Sequence, residues 1–360
     1  MPSPIRQIIV AAAGSGKSTY LVKEALGDPS RRTLITTYTN ENIQQITDFV
    51  NQRVGFVPKN LRILTWFSFL LRECVRPYQN YLYDERRISR IAFTNRRSAM
   101  FVPKSKVSRY YFENGEWIYT DKIAEFACEC DKLSKGLVIS RLEQVYDQIF
   151  VDESQDLAGY DLDLLKLLVQ SSLDIVIVGD CRQSTYYTNN SAKNQKFKGF
   201  NVIQLFEEWE KHGLCVLSQK KESFRCNKQI CDFADRLYPE FDPTISKNTV
   251  VTAHDGIFIV TPSNVTHYYD LFKPVVLKDS IRTSTMDLPS MNFGAAKGRT
   301  FDRVLIFPNE PIRKYLVNGN FSQLAQQTRA RLYVAITRAR HSVAFVCENT
   351  TNNFGIGSFV

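Results

Sequence analysis

Gly14-Ser15-Gly16-Lys17-Ser18 has the residue types and spacing to hold a phosphate group. Small residues let backbone N–H groups wrap an anion at the start of a helix. Lys17 then reaches the outer phosphates of a nucleoside triphosphate, and the Ser18 hydroxyl ligates Mg²⁺. A second chemically capable group lies far downstream, in Ile149-Phe150-Val151-Asp152-Glu153-Ser154-Gln155-Asp156. An apolar strand delivers both carboxylates there. Asp152 is placed to hold Mg²⁺ through water and Glu153 to polarise an attacking water. Together these two groups predict nucleotide hydrolysis.

The elements that must carry them are legible as short apolar runs. Residues 7–12 read as a strand ending in glycines, and 17–26 as a helix stopped by Gly27-Asp28-Pro29. Further strands are expected at 33–38, 61–66, 148–151 and 174–178, the last running into Gly179-Asp180. Strands alternating with helices predict a parallel sheet covered on both faces. A second set, at 214–217, 256–260, 303–307 and 342–346, predicts a second sheet. The expected fold is therefore α/β, with two parallel-sheet domains in tandem and a mostly helical, basic insertion in the first. The boundaries are 1–68 and 145–190 for the first domain, 69–144 for the insertion and 200–360 for the second domain. The polar stretch 188–199 reads as the linker.

Composition agrees with two packed domains: 360 residues with 44% apolar content. No apolar run approaches the ~20 residues of a membrane span, and no leader pattern precedes the glycine-rich element, so a cytoplasmic protein with no membrane partner is expected. The eight cysteines are scattered without a C-x-x-C pair, which predicts reduced thiols rather than a zinc site. The net charge of +9 favours a polyanionic partner. Lys and Arg between 86 and 109 are interleaved with aromatics. That run reads either as a nucleic-acid surface or as a solvated face over a small core.

Seven ordered segments resemble the motifs of UvrD/Rep-type superfamily-1 helicases. Asp152-Glu153-Ser154-Gln155-Asp156 is similar to D-E-x-Q-D, and Gly179-Asp180-Cys181-Arg182-Gln183-Ser184-Thr185-Tyr186 to G-D-x-x-Q-S-I-Y. Thr37-Tyr38-Thr39-Asn40 and Thr65-Trp66-Phe67-Ser68-Phe69 resemble the family's T-F-T-N and T-F-H-S-F elements. Ser223-Phe224-Arg225-Cys226 stands for N-Y-R-S. Residues 296–302 resemble S-K-G-L-E-F-D, and 332–340 L-Y-V-A-L-T-R-A-K. The glycine-rich loop fits the family with Ala in place of its first glycine.

The resemblance implies two RecA-like domains and a compact form without the large 2B insertion. It also implies an ATP hydrolase acting as a translocase or helicase on single-stranded DNA, moving 3′ to 5′, with ATP and Mg²⁺ as cofactors. RNA is an open alternative. Glu153, Gln183, Arg225 and Arg338 take catalytic roles, the arginines because charge builds on the transferred phosphoryl group. Gly14, Ser15, Gly16, Lys17, Ser18, Thr19, Gln155, Phe224 and Gly298 contact the nucleotide, with Ser18 and Asp152 at the metal. Thr37, Thr39, Trp66, Tyr186 and Asn292 contact nucleic acid. Departures include Thr300 for a family glutamate and too few residues before the loop for the family's adenine-reading glutamine. A second reading is an NTP-gated subunit of a nuclease or other effector, for example in phage defence.

Overall fold

Runs such as Ile149-Phe150-Val151 and Ile175-Val176-Ile177-Val178 have no polar face, so they are stable only where a sheet is covered on both sides. In the computed structural model, which describes residues 3–94, 96–348 and 356–359, they lie in the centre of the first of two six-stranded sheets. The chain divides into two compact units: residues 1–10, 17–181 and 186–218 form the first, and residues 11–16, 182–185 and 219–360 the second. The architecture is two RecA-like α/β sheets.

In the first unit the elements run β1 (Arg6–Ala11), α1 (Lys17–Ala25), β2 (Thr33–Thr37), α2 (Asn40–Val54), β3 (Leu61–Thr65) and α3 (Trp66–Phe69). A π-helical turn, Leu70–Val75, continues α3, and Arg76 N donates to Leu71 O across it. Then come β4 (Arg90–Ala92), α4 (Val107–Tyr110), β5 (Trp117–Tyr119), α5 (Ile123–Leu133) and α6 (Leu137–Val145). β6 (Gln148–Val151), α7 (Tyr160–Gln170), β7 (Asp174–Gly179), α8 (Val202–Lys211) and β8 (Val216–Lys220) follow. The sheet order is β3-β2-β6-β7-β1-β8, with parallel registers from β3 through β1.

Two readings are corrected here. The strand expected at 214–217 as part of the second sheet is β8, at the edge of the first, where Ser218 Oγ donates to Ile8 O. Its half-exposed pattern suits an edge and does not specify which sheet. The stretch 188–199 is no linker, since the first unit continues through Ser218. The Thr188 hydroxyl donates to Asp161 and accepts from Ala158 N, and Asn194 Nδ2 donates to Gly159 O and Asp163. Polarity there serves to cap and brace buried backbone. Within 69–144 the longer helical segments lie at the two ends. The middle, 82–122, holds one four-residue helix and the short parallel β4–β5 ladder, over a core of Tyr83, Tyr111, Phe112 and Phe126.

The second unit contains β9 (Glu222–Ser223), α9 (Lys228–Asp235), β10 (Ile245–Ser246), β11 (Gly256–Val260), α10 (Val265–Phe272), β12 (Val275–Lys278) and β13 (Ser290–Asn292). β14 (Phe301–Phe307), α11 (Glu310–Asn318), α12 (Gln326–Ile336), β15 (Ala339–Val346) and β16 (Gly357–Phe359) complete it. Its sheet, β13-β12-β14-β15-β11-β16, is parallel throughout. His254 is stacked between Phe258 and Phe272, at 3.9 and 3.8 Å, beside this sheet's apolar cluster. Burial there lowers its pKa to about 4. Among the described residues no helix is long and apolar enough to cross a membrane.

Candidate nucleotide site

In parallel sheets, ligands gather at the carboxyl ends of the strands, where loops rather than ladders occupy the backbone. β7 lies between β1 and β6, with Val10 opposite Gly179 and Val151 opposite Ile177. The glycine-rich turn, Asp152-Glu153 and Asp180 therefore leave three adjacent strands at one edge of the sheet.

The turn after β1 is built for close approach. Gly14 and Gly16 have φ of +74° and +75°, a region that side chains rarely adopt. A Cβ on Gly14 would also lie 2.6 Å from Arg225 Cβ and 2.8 Å from Ser223 Oγ, while one on Gly16 would meet open space. Phe224 N donates to Gly14 O at 2.9 Å, and Ala12 N to Lys220 O at 2.8 Å. α1 begins at Lys17, so its first N–H groups adjoin the turn. Ser15 Oγ is buried without a hydrogen-bond partner among the described residues. A buried hydroxyl in that state is costly, and a phosphate oxygen would satisfy it. Lys17 and Ser18 are half-buried and Thr19 is exposed. These donors fit a triphosphate with its Mg²⁺.

One of the two carboxylates after β6 is held under backbone strain. Glu153 has φ 57° and ψ 38°, a left-handed conformation costly for a residue with a Cβ. Asp152 is buried, its N–H donating to Thr36 O at 2.8 Å, and Glu153 N donates to Asp152 Oδ1 at 3.0 Å. Gln155 explains how the strain is tolerated. Fully buried, it donates through Nε2 to Glu153 Oε2 and accepts from Asp180 N at 3.0 Å. One amide thus ties the Glu153 carboxylate to the end of β7. Gly179 makes room for it, because a Cβ there would stand 2.6 Å from Gln155 Oε1.

Within the second unit, Arg338 and Gln183 meet. Arg338, 2% exposed, donates through Nη2 to Gln183 Oε1 at 2.9 Å and through Nε to Val334 O at 3.1 Å. Arg225 Nη1 donates to Thr337 O at 3.1 Å, and Arg338 Nη2 lies 3.4 Å from Thr337 Oγ1. Both arginines therefore converge on Thr337, which the motif reading did not single out. It also did not single out Arg182, whose buried guanidinium pairs with Asp235 at 3.4 Å and lies over Phe241 and Tyr333. Its signal was position alone, directly before Gln183. Phe224 is 62% exposed, and Gly298 has φ +83° outside these contacts.

The residues expected to touch nucleic acid divide. Tyr186 and Asn292 are exposed. Thr39 caps α2, its Oγ1 accepting from Asn42 N at 3.2 Å, and Thr37 is buried with its Oγ1 accepting from Asn42 Nδ2. Trp66 is corrected: it is 1% exposed, and its Nε1 donates to Asp161 at 2.6 Å. Its ring is committed to the core and has no face for a base. Asp161, also bound by Thr188, is buried deeply enough to raise its pKa to about 6.

Residues 72–204 match the UvrD/REP helicase N-terminal domain family. This segment is similar to that helicase domain. The matched span includes Asp152, Glu153, Gln155 and Gln183 and begins beyond the glycine-rich loop. Among curated proteins none matches. Solved structures similar to this chain include the PRRSV helicase, with 16% identity over 95% of this chain and 52% of the other and a TM-score of 0.45. The arterivirus nonstructural protein 10 helicase is similar at 16% identity, over 97% of this chain and 62% of the other, with a TM-score of 0.46. The same viral helicase in complex with DNA gives 15%, 96% and 61%, with a TM-score of 0.49. The chain thus spans half to three-fifths of the length of these helicases.

Proposed function

We propose that this chain is an ATP-driven translocase or helicase on single-stranded DNA, moving 3′ to 5′. The observation that carries the reading is the Glu153 carboxylate, held in a left-handed turn at a strand end and fixed by Gln155 to the neighbouring strand. A strained, braced carboxylate at a sheet's carboxyl edge suits a group that must orient one water. In this reading Gly14, Ser15, Gly16, Lys17, Thr19, Gln155, Phe224 and Gly298 bind the nucleotide. Ser18 and Asp152 hold Mg²⁺, which neutralises phosphate charge when bound. Arg225 and Arg338 stabilise charge on the transferred group, and Gln183, hydrogen-bonded to Arg338, reports the state of the outermost phosphate. Thr39, Tyr186 and Asn292 face the strand, while the buried Thr37 supports α2 through Asn42. The likeness to UvrD/REP helicases supports this assignment.

The test is steady-state ATP hydrolysis with and without a single-stranded DNA oligomer, using Glu153→Gln as the blank. The reading expects many-fold stimulation by the oligomer and none in the blank. Hydrolysis indifferent to the oligomer would overturn the motor and point instead to a subunit gated by a nuclease or other effector protein.

A further inference from the structure

Residues 86–109 contain eight Lys and Arg and no Asp or Glu. Two of these cations are neutralised locally: Lys104 by Glu125 and Glu129, at 3.1 and 2.7 Å, and Arg86 by Glu116 at 3.7 Å. Arg96, Arg97, Lys106 and Arg109 have no ion pair among the described residues. The structure also sorts the aromatics of this segment. Tyr83 and Tyr111 are core, whereas Phe93 is 77% and Phe101 93% exposed.

These exposed rings stand on anchored backbone. Thr94 N donates to Thr120 Oγ1 at 3.2 Å, and Ser98 donates to the buried Asp121 through N at 2.9 Å and Oγ at 2.6 Å. Phe93 is not isolated either. Its ring meets Phe67 edge-on at 6.1 Å, and Phe67 lies 6.1 Å from Tyr38, which follows the carboxyl end of β2. A row of three rings thus leads from that strand end out to Phe93. Uncovered aromatic faces beside uncompensated cations match the two things a single strand presents, base faces and phosphates.

We propose that Phe93 and Phe101, flanked by Arg96 and Arg97, form a base-stacking platform that extends the single-strand path onto the inserted segment. The proposal rests on the motor reading above. A lipid surface is the competing occupant; the continuity of the ring row with the β2 end favours nucleic acid, because a membrane has no use for a path into the sheet edge.

Anisotropy of a fluorescein-labelled oligothymidylate, titrated with the full chain, tests it. Phe93→Ala is expected to weaken binding about 5- to 150-fold, the range for one stacked base, and Phe93→Tyr to retain it. Phe101→Ala is a second, independent variant, and both alanine variants are expected to melt like the parent because their rings are exposed. Replacing Arg96 and Arg97 with Gln is expected to lower the salt slope by about 1.4, or roughly 0.7 per phosphate. If the parent binds and all these variants bind equally well, the platform is overturned while the motor reading stands. If the parent does not bind at all, both fall. If the variants lose affinity for phosphatidylserine vesicles but keep the oligothymidylate, the surface belongs to a membrane and the platform is overturned.

Discussion

At the carboxyl end of the first sheet, Val151 leads into Asp152 and Glu153, and Gly179 into Asp180. At the same end of the second, Lys278 leads into Asp279, and Phe307 into Pro308 and Asn309. Asp279 accepts from Asn309 Nδ2 at 2.7 Å and pairs with Arg331 at 3.4 Å, so its carboxylate joins two strand ends to α12. Glu153 is instead held by a neutral amide in a strained turn. The two sheets have the same layout, and the residues that follow the strands differ: a carboxylate braced in a strained turn at one end, a carboxylate committed to an ion pair with a helix at the other.

The largest effect that would test this division is in the second unit's own contribution. Arg338→Ala is expected to lower turnover about 10³-fold or more, with Arg338→Lys intermediate because it keeps charge but cannot reach Gln183 and Val334 O together. Single-turnover hydrolysis reads this, and a near-normal rate in a folded Arg338→Ala protein would remove the arginine from the mechanism. Next, Glu153→Gln is expected to cost at least about 10²-fold in turnover with nucleotide affinity retained. Equal losses in both would make the residue a ligand rather than a base.

A third comparison is of pH. His254 in the second unit, with a pKa near 4 against an ordinary 6.5, contributes stability that is full above about pH 6.5 and lost as pH falls towards 4. Asp161 in the first unit, raised from 3.8 to about 6, runs the other way: its contribution is full below about pH 3.8 and lost as pH rises through 6. Each is worth up to about 3 kcal/mol. Thermal melts across pH 4–7 are expected to change slope in opposite directions in His254→Phe and Asp161→Asn, and parallel profiles would refute the pairing. The smallest effect is Asp279→Asn, expected to cost about 1 kcal/mol of stability and to leave turnover within about twofold. A large loss of turnover would show that the second sheet's end is not merely structural.

Much of this contrast is legible in the amino-acid sequence alone. The apolar runs before Asp152 and Gly179 mark buried parallel strands by composition, and the glycines at 14 and 16 mark a turn that only glycine adopts easily. The features that sequence does not reveal depend on partners distant along the chain. β8 is half-exposed, and such a pattern fits the edge of either sheet. Trp66 sits in a motif but donates to Asp161, 95 residues away. The polar run at 188–199 has the composition of a linker, and only its bonds to α7 and its preceding turn show that it is packed.

The π-helical turn at Leu70–Val75 has a consequence for how this chain tolerates length changes. Such a turn carries one residue more than an α-helical path needs. Deleting a single residue there would regularise the helix, yet each residue advances an α-helix by about 100°, so the following segment would be rotated by that amount. Glu73, in the turn, meets Arg62 from one side and Arg141 from the other. Those two arginines act as a gauge of phase: the chain's extra residue sets the angle at which the whole inserted segment leaves the first sheet.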